Sequence, residues 1–208
     1  MSKREAPYFD RGSTYYGSET PDSANLKGVQ LEGRKYDFED LDYSVQGVKP
    51  HRTEGNMVTC MVVRNVSGIN LLPSRLAKFV TTAGYKSITQ VGGYGTLDAD
   101  GPCFPIDEWL PAAGVQNYDL FYVVTEGPAS VLTALDGGAD NVFNVNDVIV
   151  ALTAATSQAT TAGRVAPQVL TGATALLGNQ VQNRLGRAMS AKTTANTNNS
   201  LLVNISKW

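Results

Sequence analysis

Residues 56–68, NMVTCMVVRNVSG, decide the fold of this chain of 208 residues. In an extended chain, successive side chains point to opposite faces, so this stretch divides into two alternating sets. One set is Met57, Thr59, Met61 and Val63, and the other is Val58, Cys60, Val62 and Arg64. Both sets are largely apolar and rich in β-branched residues, a composition typical of strands. We therefore predict a strand that is buried on both faces and lies in the centre of a sheet.

Later segments show a similar strand pattern, and Gly, Pro and Asn residues separate them. They are YKSITQVGGYG (85–95), YDLFYVVTEGP (118–128), SVLTAL (130–135), NVNDVIVALTAAT (144–156), GRAMSAKTT (186–194) and SLLVNISKW (200–208). SRLAKFVTT (74–82) fits a strand or two helical turns, and PIDEWLPAAG (105–114) suits a short helix. Because no long amphipathic period appears, we expect an all-β fold, a small barrel or sandwich with at most short helices.

The first quarter of the chain differs in composition from the rest. Residues 1–55 hold 18 of the 36 charged residues and five of the nine tyrosines, but few aliphatic side chains. Such a segment lacks the apolar mass to fold alone. We therefore predict an extended, irregular N-terminal arm over 1–55 and a β-rich body over 56–208, which can be divided into β subdomains 56–135 and 140–208.

Aromatic side chains of this arm are costly to leave in water, which indicates that they contact something. Either the arm is a flexible tail, or it becomes ordered by laying its rings on another subunit. On the second interpretation the expected partner-binding residues are Tyr8, Phe9, Tyr15, Tyr16, Leu26, Tyr36 and Phe38, together with Trp208 at the end of the last predicted strand.

The chain carries a formal net charge of −2, which provides no positive electrostatic field to attract nucleic-acid phosphates. We therefore expect no direct nucleic-acid binding. The N-terminus is charged from its third residue and does not resemble a secretory signal. No apolar stretch is long enough to cross a bilayer, so no membrane partner is expected. In a cytoplasm Cys60 and Cys103 are expected to be reduced, with a disulfide between them as the alternative.

Catalytic and metal-binding patterns are sparse, and we expect neither enzyme activity nor a cofactor or metal. The lone histidine, His51, follows a proline in a predicted loop, where a solvated role is the ordinary one. VGGYGTLDADGP (91–102) fits a hairpin turn better than a nucleotide or calcium loop. A hydrolase acting through carboxylates would use Asp98, Asp100, Asp107 and Glu108, but a nucleophile–base pair is missing.

Residues 143–208 resemble the small β-barrel decoration or cement proteins of tailed-bacteriophage heads. Chains of that kind often have an Asp-led strand, an Ala/Thr-rich loop, a G-x-A strand and a closing LLV strand. The matching positions are Asp147–Val148, Gly186 with Ala188, and Leu201–Val203. Asn146 departs from the pattern, because a glycine is common there.

This resemblance implies a viral structural protein that binds and stabilises a capsid shell and has no enzyme activity. The expected partners are the major capsid protein and copies of the chain itself, for example in a trimer, with the arm bridging neighbouring subunits. The expected location is the virion capsid, after assembly in the host cytoplasm. Another virion part, such as the tail, the head–tail connector or a fibre base, is the alternative, and a carboxylate-based hydrolase is a third.

Overall fold

The computed structural model describes residues 7–15, 27–42, 49–50, 57–82, 85–95, 103–133, 142–151, 163–168, 184–192 and 200–206. Over these residues the predicted all-β class is confirmed. The helical content of the described part is one 3₁₀ turn at Val29–Leu31. The strands are β1 (Lys35–Glu39), β2 (Leu41–Asp42), β3 (Lys49–Pro50), β4 (Met57–Asn65), β5 (Leu76–Thr82), β6 (Tyr85–Tyr94), β7 (Cys103–Pro105), β8 (Leu120–Leu132), β9 (Val148–Ala151), β10 (Val165–Pro167), β11 (Arg184–Ala188) and β12 (Ser200–Ser206).

One sheet of ten strands carries the structure. Its order is β10-β9-β11-β12-β8-β4-β6-β5-β7, β1 pairs with β4 in addition, and β2 pairs separately with β3. Neighbouring strands are antiparallel except β4 and β6. The sheet does not close into a barrel, but isolated bridges Ile106–Val123 and Thr133–Val165 bring both of its ends back to β8.

The prediction that residues 56–68 contain a central strand is confirmed. β4 pairs with β1, β6 and β8, and it buries both of its faces. Val58, Cys60 and Val62 join one apolar cluster, whereas Met61 and Val63 join a second cluster on the other face. A double-sided apolar alternation is therefore a reliable signal here, because only an interior strand can bury both sets.

β8 is the longest strand of the described part, and in it SVLTAL extends the strand of YDLFYVVTEGP, which is one of the two arrangements that the sequence allows. Its residues 120–126 pair with β4 and its residues 126–132 pair with β12. Gly127, with a φ of 94°, lies inside the strand instead of forming a turn. β8 itself lies within the first proposed subdomain, and its pairing with β12 connects that subdomain to the second in one continuous sheet.

The C-terminal strand β12 lies inside the sheet, between β11 and β8. Leu201, Val203 and Ile205 are buried, whereas Asn204 and Ser206 are exposed. The alternation expected for this strand is confirmed.

Two local predictions are wrong. Residues 105–114 form turns and a short strand end instead of a helix, because the Ile106 and Asp107 backbone amides donate to neighbouring chain segments. Gly92 and Gly93 belong to β6 instead of a turn. The pairing of β6 with β5 shifts register there.

The prediction of an irregular arm over residues 1–55 is also wrong for part of that range. Lys35–Glu39 forms β1, which pairs antiparallel with β4 over five residues. The sequence KYDFE alternates, and Tyr36 and Phe38 are each only 7% exposed. The segment lacks apolar mass of its own, but two rings on one face suffice when β4 supplies the partner strand.

Candidate protein-binding surface

Residues 7–15, which we call the N-terminal strap, lie against the start of β8. Tyr15 and Leu120 exchange two backbone hydrogen bonds of 3.0 and 2.9 Å. The Tyr122 hydroxyl donates to the Phe9 carbonyl at 2.9 Å, and the two rings stack with centroids 4.4 Å apart. The strap is therefore held by backbone and side-chain contacts to its own body.

A buried ion pair locks the strap in place. Arg11 donates through Nε at 3.2 Å and through Nη2 at 2.9 Å to Oδ1 of Asp107. The Gly12 amide donates to Oδ2 of Asp107 at 2.8 Å. Both charged side chains are 0% exposed, and a carboxyl oxygen of Glu108 lies 3.8 Å from the guanidinium. Charges taken fully out of water require such pairing, so strap and body are matched at this point.

The electrostatic influence of the ion pair extends to Cys60, and Tyr122 nearby is also perturbed by burial. Burial alone would lower the pKa of Arg11, but the combined attraction of Asp107, Cys60 and Glu108 outweighs it and the pKa is raised. Burial raises the pKa of the Cys60 thiol, and the Arg11 cation only partly offsets this. Burial likewise raises the pKa of Tyr122. Both groups therefore stay protonated and neutral, which suits packing and not nucleophilic chemistry.

Gly12 lets the strap approach the body closely. Its φ is 77°, and a Cβ built on it would lie 2.9 Å from the Trp109 carbonyl oxygen. A side chain there would be strained in conformation and crowded by backbone. The pair Arg11–Gly12 is thus the recognition element of the strap.

The strap presents an apolar surface on its outer side. Tyr8 is 60% exposed, and its ring centroid lies 5.5 Å from that of Tyr15. Tyr15 in turn lies against Gly28, since a Cβ on Gly28 would be 3.2 Å from its ring. The next residue, Val29, is 55% exposed. We call Tyr8, Tyr15 and Val29 the tyrosine surface.

A second buried cation, Arg64, holds the segment around residues 27–32 against the body. Arg64 of β4 is 0% exposed and donates to Oε1 of Glu32 at 2.5 Å. It also donates to the backbone carbonyls of Lys27 at 2.6 Å and Tyr118 at 2.8 Å. Tyr15 and Lys27, which flank residues 16–26, are therefore both anchored to the body. Residues 16–26 themselves lie outside the described part.

Another buried polar cluster lies at the far end of β8. Lys192 Nζ donates to Oγ1 of Thr133 at 2.5 Å, and Arg164 Nη1 donates to the Thr133 carbonyl at 2.7 Å. Burial, with the nearby Arg164 cation, lowers the pKa of Lys192. These bonds connect the end of β8 with β10 and with the chain after β11.

The predicted partner-binding residues divide into four groups. Tyr8 forms the exposed part of the tyrosine surface, whereas Phe9 and Tyr15 are partly buried against the chain's own core. For Tyr36 and Phe38 the prediction is wrong, because both rings pack around Tyr122 inside the chain. Tyr16, Leu26 and Trp208 lie outside the described residues.

The carboxylates considered for hydrolysis have structural contacts where they can be seen. Asp107 is occupied by the strap, and Glu108 accepts a hydrogen bond from the Ser130 amide at 3.2 Å. Asp98, Asp100 and His51 lie outside the described residues.

Cys60 and Cys103 are both buried and not joined to each other. Within the described ranges no group of three or more His, Cys, Asp and Glu side chains is placed to hold a metal ion. The same ranges contain no helix with the length and apolar character needed to span a bilayer.

Sequence reasoning missed the ion pair, although both of its members are visible in the sequence. Arg11 and Asp107 are 96 residues apart, and nothing local relates them. The usable signal was an Arg-Gly pair beside aromatic residues, in a segment too poor in apolar residues to fold alone. No protein-family model, curated protein or solved structure matches the chain significantly.

Proposed function

We propose that this chain is a structural protein of a tailed-bacteriophage capsid, which binds the shell as a head decoration or cement protein. Two findings support the proposal. Residues 143–208 resemble such proteins in their strand motifs, and the all-β body holds an apolar surface in a defined position. The expected partners are the major capsid protein and further copies of this chain.

The exposed Tyr8 ring, held in place by the strap, is the observation that carries the proposal. Tyrosine is enriched among the residues that dominate binding energy at protein interfaces. Here the backbone that carries the ring is anchored before binding, because Arg11, Gly12 and Tyr15 on its C-terminal side contact the body. A contact surface ordered in advance loses less conformational entropy on association.

The part of the arm that contacts the shell is accordingly smaller than the sequence suggested. Phe9, Tyr36 and Phe38 are used inside the chain, so the outer side of the strap supplies the contact in this proposal. Val29, which is 55% exposed, adds apolar area to the tyrosine surface.

Binding to shells tests the proposal directly. Empty shells of the phage that encodes the chain are incubated with the protein and sedimented, and the bound fraction is measured over a range of concentrations. We expect Tyr8→Ala to weaken binding at least about tenfold, which corresponds to roughly 1.4 kcal/mol. Ile88→Ala is the matched control, since Ile88 is an apolar side chain that is 72% exposed on β6 and is not part of the strap.

Either of two results would contradict the proposal. The protein could fail to sediment with shells, or Tyr8→Ala could bind as tightly as the unchanged chain. Gold labelling of whole particles adds the location. Label on the head facets supports a decoration protein, whereas label confined to the tail would move the chain to another part of the virion.

A further inference from the structure

The groove that receives the strap is formed by chain segments far from it in sequence. Asp107 lies in the turn after β7, and Leu120 and Tyr122 lie at the start of β8. Each contacts the strap through a specific group: a carboxylate, a backbone amide and carbonyl, and a phenol. The groove therefore recognises a short peptide by sequence, and nothing in its contacts requires that the peptide come from the same copy.

The connection between strap and body is much longer than its ends require. A Cβ on Gly28 would be 2.7 Å from the Leu120 side chain and 3.2 Å from the Tyr15 ring, so the two ends lie side by side. The 11 residues from 16 to 26 join them. Such a length of chain can span up to about 36 Å when extended at ~3.3 Å per residue. A linker of this length therefore allows the strap to occupy the groove of an adjacent copy that lies within that distance.

From this geometry we propose that the strap is exchanged between copies when they are crowded together. Arg11 and Gly12 of one copy then bind Asp107 of the next, with the same contacts as within one chain. Because the contacts are equal in both arrangements, exchange is a low-cost route to assembly. The crowding would occur on the shell of the proposed function, and the exchange itself can be tested without a shell.

Concentration decides between the two arrangements. For short flexible linkers in general, the effective concentration of a tethered segment at its own site is on the order of millimolar. Dilute protein therefore keeps its own strap, as in the structure. Copies packed at a similar density offer grooves at a comparable concentration, so that exchange becomes competitive.

An engineered disulfide between strap and groove can show whether each strap occupies the groove of its own chain or that of another copy. Tyr15 and Leu120 form an antiparallel bridge with both hydrogen bonds made, a geometry with Cα atoms ~5.5 Å apart that a disulfide can join. The full-length Tyr15→Cys/Leu120→Cys variant is oxidised at about 10 µM, far below the effective concentration typical of a short linker, and at about 1 mM, which is comparable to it. Non-reducing gels then show whether the bond is within or between chains.

We expect only internally bonded monomers at the low concentration. At the high concentration we expect dimers and longer chains to make up a substantial fraction. The single Tyr15→Cys variant is the control for random disulfides between exposed thiols. Purely internal bonds at 1 mM would overturn the proposal.

Charge reversal supplies a second test that leaves Leu120 unchanged. Full-length Arg11→Asp and Asp107→Arg variants each place like charges at the buried contact, so neither can seat its own strap. In an equimolar mixture, however, the unchanged Arg11 of one variant meets the unchanged Asp107 of the other. We expect the mixture, and neither variant alone, to form a dimer in sedimentation experiments.

A mixture that remains monomeric would also overturn the exchange. This outcome is separate from the fate of the proposed function. Shell binding that depends on Tyr8 without any exchanged strap would remove only the present inference, whereas exchange without shell binding would remove only the proposed function.

Discussion

Replacing Arg11 by methionine removes the cation of the buried ion pair and keeps much of the apolar length of the side chain. Asp107, which is 0% exposed, then loses two hydrogen bonds from the guanidinium and its only near cation in the described part. It keeps the Gly12 amide at 2.8 Å, while the Trp109 amide at 3.5 Å adds little. The variant thus buries a carboxylate with one good donor.

The expected loss of folding stability follows from the hydrogen bonds that Asp107 loses and keeps. Removing one member of a buried ion pair destabilises proteins by about 3–5 kcal/mol, since the remaining charge is left without compensation. The retained Gly12 bond places the present case at the lower end, about 3 kcal/mol. With an m value of roughly 2 kcal/mol/M in urea, the midpoint should fall by about 1.5 M.

Urea unfolding monitored by tryptophan fluorescence is the assay, because Trp109 contacts the strap at Gly12. The Asp107→Leu single variant and the Arg11→Met/Asp107→Leu double variant complete a double-mutant cycle. The double variant should be more stable than Arg11→Met alone, since an apolar replacement of a buried pair is often neutral. We expect a coupling energy above about 1 kcal/mol.

Two results would refute this reasoning. A midpoint shift of less than about 0.5 M for Arg11→Met would mean that the carboxylate is not desolvated as the structure indicates. Additive single effects would mean that the two side chains do not interact. Amide exchange of Tyr15 and Leu120, which pair with each other, independently reports whether the strap has opened.

Three further predictions concern the body. A Cβ on Gly186 would overlap the Asn204 carbonyl oxygen on β12, so Gly186→Ala should cost about 1–3 kcal/mol of stability and lower Tm by roughly 2–4 °C per kcal/mol. Arg184→Ala, at an exposed position of the same strand, is the control and should leave Tm unchanged. An unchanged Tm for Gly186→Ala would contradict the close approach of the two strands. Tyr122→Phe leaves a strap carbonyl without its donor and should lose about 1 kcal/mol in urea unfolding, with faster proteolysis near the N-terminus; equal proteolysis would count against it. Because burial raises the pKa of Cys60 above its ordinary 9.0, only the unfolded chain releases this proton as the pH rises above 9. The contribution of Cys60 is therefore fully present below pH 9 and falls above it by up to ~1.4 kcal/mol per pH unit, so the stability difference between the unchanged chain and Cys60→Ala should shrink from pH 8 to pH 10.

Much of the body was predictable because the alternation of apolar side chains identifies its strands from a few neighbouring residues. The alternation in β4 placed Val62 and Val63 on opposite buried faces, and the structure puts them in separate clusters. In β12, Leu201 and Val203 share a buried face as expected. A period of two is a property of the extended chain itself, so no knowledge of distant residues is needed to read it.

Other features depended on which segments meet. Residues 105–114 have the composition of a short helix, yet their amides bond to neighbouring segments and the carboxylate of Asp107 binds the strap. The KYDFE segment could not be recognised as a strand alone, since its two rings need β4 opposite them. In both cases a tertiary contact overrides a weak local preference.

By itself, the amino-acid sequence determined the all-β class, the interior position of β4 and the buried face of β12, because side-chain alternation is encoded within a few neighbouring residues. Only the tertiary structure decided that Arg11 faces Asp107, that Tyr36 and Phe38 belong to the chain's own core, and that Tyr8 remains outside. Aromatic and charged side chains indicate that a contact is needed, because leaving rings in water or charges unpaired in the core is costly. The partner of Arg11, however, lies 96 residues away and is brought to it only by the folding of the whole sheet.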